Sequence, residues 1–168
     1  ELEQYIQECD TNEDKKRIIN EKISNAKKVQ ENFISLFPIS DVRNIGILDY
    51  VQGKPEGKRT TFSYLIEHGS RAFGTIGGGY AIKHGVYMNK DGEFEFNSDH
   101  FKSHTEAYDS TINVIADCLD HAKNFIKTKD WKIFSDHITE LIESNKKTPG
   151  IPVISKIIAM YYPDEFLR

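Results

Sequence analysis

Apolar side chains recur at every third or fourth position along three long stretches of the chain, which is the spacing of one helix face. The first stretch runs from Glu13 to Phe37, with Thr11 or Asn12 as the expected N-cap and Pro38 ending the helix. Residues 2–9 fit a short separate helix. The predicted core face of the long helix comprises Ile18, Ile19, Ile23, Ala26, Val29, Phe33, Ile34 and Phe37.

Two further long helices are predicted in the second half of the chain. Ser103 followed by Glu106 forms a capping box, and Asp130 is the expected N-cap of the next helix. The inward face of the first comprises Tyr108, Ile112, Ile115, Leu119, Ala122 and Ile126. The inward face of the second comprises Trp131, Phe134, Ile138, Leu141 and Ile142. After a break over residues 146–152, a short apolar helix is expected from about Val153 to Tyr161, where Pro163 stops it.

The middle of the chain has the shorter elements. Residues 41–50 fit either a strand or a short helix, and residues 51–59 are typical of a loop because two glycines and a proline lie among charges. A short helix is expected over residues 60–69, with Phe62, Leu65 and Ile66 inward. A β-hairpin is predicted from about Tyr80 to Asn97, turning at residues 89–92. The predicted fold class is therefore α+β, a mostly helical domain around a small antiparallel sheet.

Length and composition indicate one domain over residues 1–168. Apolar residues make up 38% and charged residues 29%, which is an ordinary balance for a folded protein. The longest strongly apolar stretch near the end, residues 151–162, contains Lys156 and is too short for a bilayer, which takes about 20 residues. With no secretion signal and two isolated cysteines, Cys9 and Cys118, we expect a cytoplasmic protein. Glu at position 1 and the abrupt end at Arg168 favour a piece of a longer polypeptide.

Charge is unevenly distributed along the chain. The net charge is −4, yet residues 51–90 contain six basic and two acidic residues, a net charge of +4 that leaves −8 for the rest. The basic residues are Lys54, Lys58, Arg59, Arg71, Lys83 and Lys90. Because distant charges are screened beyond about 10 Å at ordinary salt, this segment suits a localised anionic ligand. A chance fluctuation over forty residues is the alternative.

A glycine run lies inside this basic segment, at residues 74–79. It is not a Walker A loop, because Tyr80 and Ala81 follow the last glycine and the next lysine is Lys83. Gly77, Gly78 and Gly79 provide backbone that another surface can approach closely, with N–H groups exposed. The alternative is a tight bulge before a strand.

Catalytic and metal-binding arrangements are weak. His100 and His104 have the spacing of a helical zinc pair, with Asp99 beside them, but the HExxH pattern is missing. Glu93 and Glu95 share one strand face without a nucleophile. We therefore expect no catalytic centre, no metal and no cofactor in this segment.

Three segments together resemble the N-terminal region of McrB-like restriction proteins. They are residues 47–53, residues 61–67 and residues 73–87, which contain Leu48-x-Tyr50, Thr61-Phe-x-Tyr-x-x-Glu67 and the glycine run. Phe73, Thr75 and His84 stand where the family has Leu, Ser and Phe. The closing residues 157–166 also resemble the segment before the family's motor domain, whereas residues 103–145 fit only in pattern.

This resemblance implies a function. McrB-like proteins are AAA+ ring motors that use GTP or ATP with Mg²⁺, work with an endonuclease subunit and restrict foreign or modified DNA. Their N-terminal regions usually recognise the DNA target, so the motor is expected beyond Arg168. The alternative is a protein-interaction or assembly module that couples the motor to a partner subunit, as the acidic helices favour. A metal hydrolase built on His100 and His104 is a remote third hypothesis.

The DNA hypothesis assigns roles to particular residues. Double-stranded DNA would be held through its phosphates, which give affinity without sequence reading. The residues for that role are Lys58, Arg59, Arg71, Lys83 and Lys90, with the exposed backbone of Gly77, Gly78 and Gly79. Tyr80, His84 and Tyr87 would stack on or cradle a flipped base. For Tyr87 a place in the core is the stronger alternative.

Overall fold

The computed structural model describes residues 13–53, 59–73, 75–76, 81–145 and 148–166, without the side chains of residues 81 and 82. Seven α-helices and two strands lie in these ranges. They are α1 (Glu13–Leu36), α2 (Ile47–Tyr50), α3 (Phe62–Tyr64), β1 (Val86–Met88), β2 (Phe94–Phe96), α4 (His104–Thr128), α5 (Trp131–Ser144), α6 (Ile151–Tyr161) and α7 (Pro163–Phe166). The prediction of a mostly helical domain with a small antiparallel sheet is confirmed.

Helix α4 lies at the centre of the fold and packs against α5, α6 and both strands. Ser103 is the N-cap as predicted, since its Oγ accepts from Glu106 N at 3.1 Å. The second bond of the predicted capping box is shifted by one residue, because Glu106 Oε2 accepts from Lys102 N at 2.7 Å. Five of the six predicted inward residues are buried and Ile126 is half-buried. The cap and the apolar period were thus sufficient to predict this helix.

Helix α5 begins as predicted, but its first residue points outward. Asp130 caps it by accepting a hydrogen bond from Ile133 N at 3.0 Å. Phe134 and Ile142 are buried, whereas Trp131 is 60% exposed. The prediction that Trp131 faces the core is wrong, because Phe166 of α7 packs on Phe125 and Phe134 but leaves most of Trp131 exposed.

Helix α1 confirms the predicted boundaries but buries only its last turns. Phe33 is 1% exposed, and its ring lies 5.3 Å from that of Phe62 and 5.4 Å from that of Tyr161. The prediction that the first half faces the core is wrong: Ile18, Ile19 and Ile23 are 47%, 39% and 59% exposed. The expected N-cap and the expected helix over residues 2–9 lie outside the described residues.

The middle segments are short helical turns. The sequence of residues 41–50 fitted either a strand or a short helix. The structure shows helical turns there, namely the end of a 3₁₀ helix (Ile39–Asn44) and α2. The predicted helix over residues 60–69 is confirmed as α3 followed by a π-helical turn, Leu65–Gly69. A further 3₁₀ turn spans Arg71–Phe73 and packs against α1 and α6.

The hairpin is shorter than predicted. Strands β1 and β2 are antiparallel, with Val86 opposite Phe96 and Met88 opposite Phe94. The predicted strand at residues 81–84 is wrong, since Ala81–His84 forms a 3₁₀ turn and Gly85, at φ +89°, separates it from β1. The alternative that Tyr87 packs in the core is also wrong. Val86 and Met88 point inward, whereas Tyr87 is half-buried on the opposite face and donates to Glu95.

Helix α6 completes the core. It begins at Ile151, two residues before the predicted start, because a proline such as Pro152 is tolerated in the first turn. Eight of its residues are buried, including Lys156, and Tyr161 donates to Phe37 O at 2.7 Å. None of the helices in the described part of the chain is long and apolar enough to cross a membrane.

Candidate functional site

Glu67 is the centre of a polar cluster at the edge of the core. It lies on the π-helical turn after α3, and its carboxylate accepts two hydrogen bonds. Lys83 Nζ donates to Oε1 at 2.7 Å and His84 Nε2 donates to Oε2 at 3.0 Å. The side chains of Lys83 and Glu67 are mostly buried, and His84 is 1% exposed. Both carboxylate oxygens therefore have a donor from the 3₁₀ turn at residues 81–84.

Burial and pairing set the charges of these groups. The hydrogen bond from His84, supported by the one from Lys83, lowers the pKa of Glu67 to about 2. Burial lowers the pKa of His84, although its bond to Glu67 acts in the opposite direction. At neutral pH the site thus holds an ionised carboxylate and a neutral imidazole that donates through Nε2.

Two glycines hold the chain in position around His84. A Cβ on Gly85 would lie 2.1 Å from Thr111 Oγ1 in α4, and a Cβ on Gly53 would lie 2.0 Å from Met88 O. Both glycines have positive φ, which other residues rarely adopt. Tyr50 OH donates to His84 O at 2.8 Å from the buried side. The backbone of His84 is therefore fixed by α2 on one side and α4 on the other.

Two more basic residues extend this cluster: Lys156 lies near Glu67 and Lys83, and Arg71 lies near Lys156. Lys156 of α6 is 6% exposed, and its pKa falls to about 8, mainly because it is buried and also because Lys83 and Arg71 are positive. Glu67 acts in the opposite direction. Arg71 is exposed and makes no ion pair with any residue that the structure describes. We call Glu67, Arg71, Lys83 and Lys156 the basic cluster, which contains three basic side chains and one carboxylate.

The structure brings together two of the predicted phosphate-binding residues, Arg71 and Lys83. Arg59 and Lys90 are exposed on separate segments, and Lys90 lies in the hairpin turn beside Asp91, Glu93 and Glu95. Lys58, Gly77, Gly78, Gly79 and Tyr80 lie outside the described residues, as do the other parts of the glycine run except Thr75 and Ile76. In sequence, Arg71 precedes the glycine run and Lys83 follows it.

His84 has a different place from the predicted one. Stacking on a base needs an open ring face, but the ring of His84 is buried and bonded to Glu67. As the structure stands, His84 positions the carboxylate instead. Tyr87, on the outer face of the hairpin, is the described aromatic of the predicted set that reaches the surface.

Sequence reasoning missed the roles of Glu67 and Lys156. Lys156 had a signal, since it is a lone lysine on a helix whose other residues are nearly all apolar. Glu67 is one of two acids in the basic segment, and the closing Glu of the Thr61–Glu67 element. Neither signal shows which charges meet, because the four residues of the cluster come from four separate segments.

The histidine pair is not arranged as a metal site in the described structure. His100 lies in the turn before α4, where Asn97 Nδ2 approaches its Nδ1 at 3.2 Å. His104 begins α4 and stacks on Phe94, with ring centroids 4.5 Å apart. Among the described residues, no three His, Cys, Asp or Glu side chains are grouped to hold a metal ion.

Fold and site together define a class: a helical α+β domain with a basic cluster at the edge of its core. Comparison with protein-family models, curated proteins and solved structures found no match to this chain. The geometry of the cluster and the resemblance seen in the sequence are therefore what indicate a function for this chain.

Proposed function

We propose that this chain is the DNA-recognition domain of a McrB-like, nucleotide-driven restriction system. The observation that supports this most is the excess positive charge of the basic cluster. Lys83 and His84 donate to the two oxygens of Glu67, whereas Arg71 makes no ion pair with Glu67 or with any other described residue. An exposed guanidinium without a described ion pair is suited to a phosphate, which it can bind with two hydrogen bonds.

The other two cations of the cluster have different parts in this proposal. Lys83 is held by Glu67 at the edge of the core, four residues after the glycine run in sequence. Lys156 lies beneath them and adds positive potential from the buried side, since it is mostly protonated below its pKa of about 8. A phosphate at Arg71 would thus meet three positive charges and one negative one.

The proposal for the rest of the restriction system comes from the resemblance to McrB-like proteins. In such a system the motor would use GTP or ATP with Mg²⁺, and an endonuclease subunit would cut the DNA. Phosphate contacts carry no sequence information, so selection of a modified base needs an aromatic at the same surface. Tyr87 is the described residue suited to that role, because it lies on the open face of the hairpin.

The double variant Arg71→Ala/Lys83→Ala tests the cluster. Two lost phosphate contacts reduce the slope of log Kobs against log salt by about 2 and weaken duplex binding roughly 10- to 100-fold at 0.1 M salt. Fluorescence anisotropy with a labelled duplex measures both. The matched control is Lys22→Ala/Lys28→Ala, which removes two exposed charges from α1 and should change the slope less.

The structure of the variants must be checked, because Lys83 also pairs with Glu67. Arg71→Ala alone avoids that difficulty, since Arg71 is exposed and makes no ion pair with a described residue; it should lower the slope by about 1. Equal binding and equal slopes for the wild type, the double variant and Arg71→Ala would rule out the cluster as the DNA contact.

A protein-interaction or assembly module is the second candidate. The exposed Ile18, Ile19 and Ile23 on α1 favour it, because adjacent exposed isoleucines are typical of surfaces that another protein covers. The two candidates differ in salt dependence. A DNA complex weakens steeply with salt, whereas a complex through α1 would change little and would not be displaced by DNA.

A further inference from the structure

A second basic surface lies far along the chain from the basic cluster, where α4 turns into α5. We call residues 123–133 the α4–α5 corner. It contains Lys123, Lys127, Lys129 and Lys132 against a single acid, Asp130. Lys129 is left-handed at φ 58° and ends α4, and two residues later Trp131 begins α5. The turn therefore brings the four lysines to one end of the helix pair.

Trp131 is fixed at this corner although most of it is exposed. Its ring lies 5.5 Å from Phe125 at an angle of 76° and 5.4 Å from Phe134. Asp130 holds the first turn of α5 by accepting from Ile133 N. An exposed tryptophan braced by two buried or half-buried rings loses little conformational freedom when a flat ligand stacks on it.

Most of the positive charge at the corner is not neutralised. Lys129 pairs with Glu165 of α7, and Asp130 is engaged as the helix cap. Lys123, Lys127 and Lys132 are exposed and make no ion pair within the described ranges. The other acids nearby are Asp164 on α7, Asp136, four residues after Lys132 on α5, and Asp120, three residues before Lys123 on α4 and paired with Arg43. Residues 123–133 thus hold more lysines than acids, and three of these lysines are exposed without an ion pair to a described residue.

Tryptophan with surrounding lysines points to one kind of partner. Protein interfaces are enriched in Trp but depleted in Lys, so the lysines argue against a protein. A nucleic acid supplies phosphates for the lysines and a base face for the tryptophan. Bases within a duplex are already stacked on each other, so a base that reaches Trp131 must be unpaired.

We infer that the α4–α5 corner binds a single-stranded stretch of nucleic acid, with Trp131 stacked on a base and Lys123, Lys127 and Lys132 at phosphates. That this nucleic acid is DNA rests on the proposed function. The surface itself is separate from the basic cluster. In that setting the corner would hold a strand displaced or unpaired while the cluster holds the duplex.

Trp131 is the single tryptophan of the chain, so its fluorescence reports on this site alone. Titration with a 12-nucleotide oligothymidine at low salt should quench the emission, because a stacked base quenches indole. Trp131→Ala should weaken binding of the labelled oligonucleotide about tenfold and Trp131→Phe less, as expected for loss or reduction of stacking. Lys127→Ala/Lys132→Ala should lower the salt slope by about 1.4.

Other results would overturn the inference. One is binding of the oligonucleotide without any change in Trp131 emission, and another is equal affinity of wild type and Trp131→Ala. Emission that changes with protein concentration and not with oligonucleotide would indicate a protein interface instead. The two proposals fail separately: Arg71→Ala/Lys83→Ala tests duplex binding, whereas quenching by oligothymidine tests the corner. Quenching without duplex binding would contradict the proposed function only.

Discussion

Gly85 determines where two functional side chains, Lys83 and His84, lie. Its positive φ turns the chain from the 3₁₀ turn with Lys83 and His84 into β1, and its missing side chain allows contact with Thr111 of α4. Thr111 is itself fixed, since its Oγ1 donates to Ala107 O at 2.7 Å. The position of Lys83 and His84 against Glu67 therefore depends on a residue that carries no chemistry of its own.

Gly85→Ala tests this dependence. The new Cβ would meet Thr111 Oγ1 at 2.1 Å in a backbone conformation that alanine disfavours. We expect the free energy of unfolding to fall by about 2–4 kcal/mol, from strain and overpacking together. Urea denaturation followed by circular dichroism measures the loss.

Gly46→Ala is the matched control. Gly46 has an ordinary extended backbone, and its Cβ would approach only Asp49 Oδ2, at 3.8 Å. Its cost should be within about 0.5 kcal/mol. Equal costs for the two substitutions would mean that Gly85 does not fix the turn.

At the scale of elements, the two halves of α1 differ in what they contact. The last turns pack on Phe62 and Tyr161, whereas the first half presents Ile18, Ile19 and Ile23 to the surface. Lys15, Arg17, Lys22 and other charged residues surround these isoleucines. The amphipathic pattern thus specifies the helix along its whole length. Its apolar side chains are buried only where α3 and α6 pack against it.

Truncation to alanine at one position in each half separates the two roles. Phe33→Ala removes a buried ring and should lower the free energy of unfolding by about 3–5 kcal/mol. Ile23→Ala removes an exposed side chain and should cost less than about 0.5 kcal/mol. Urea denaturation of the chain provides both values. A cost for Ile23→Ala that approaches that of Phe33→Ala would show that the first half of α1 is covered.

These elements show how far the sequence predicts the fold. Caps and apolar periods are local, so α4 and α5 were predicted with their N-caps at Ser103 and Asp130. Contacts between distant segments are not local. The pattern therefore placed Trp131 and Ile23 in a core that no described segment provides, and it extended β1 into a turn that Gly85 ends.

The candidate site was predictable only in part for the same reason. A basic segment can be read from the sequence, and it contained Arg71 and Lys83. The fold adds Lys156 from α6 and engages His84 with Glu67, and both changes depend on segments about 70 and 17 residues away in sequence. The charge counted along a chain segment therefore predicts the sign of the surface charge, but it does not predict which residues form the site.

At the scale of the whole molecule, charge is segregated. The chain carries a net charge of −4, yet the basic cluster and the α4–α5 corner each have an excess of positive charge. The acidic residues elsewhere weaken long-range attraction, but at ordinary salt they are screened beyond about 10 Å. We therefore expect local phosphate contacts to dominate binding, with modest attraction at a distance.

The measurement that tests the DNA-recognition proposal most directly is fluorescence anisotropy of this chain with short duplexes, unmodified and methylated, across a salt series. The proposal predicts binding that weakens linearly in log Kobs against log salt and that differs between the two duplexes. No binding to either duplex at low salt would contradict it, and the exposed face of α1 would then make the assembly module the better account.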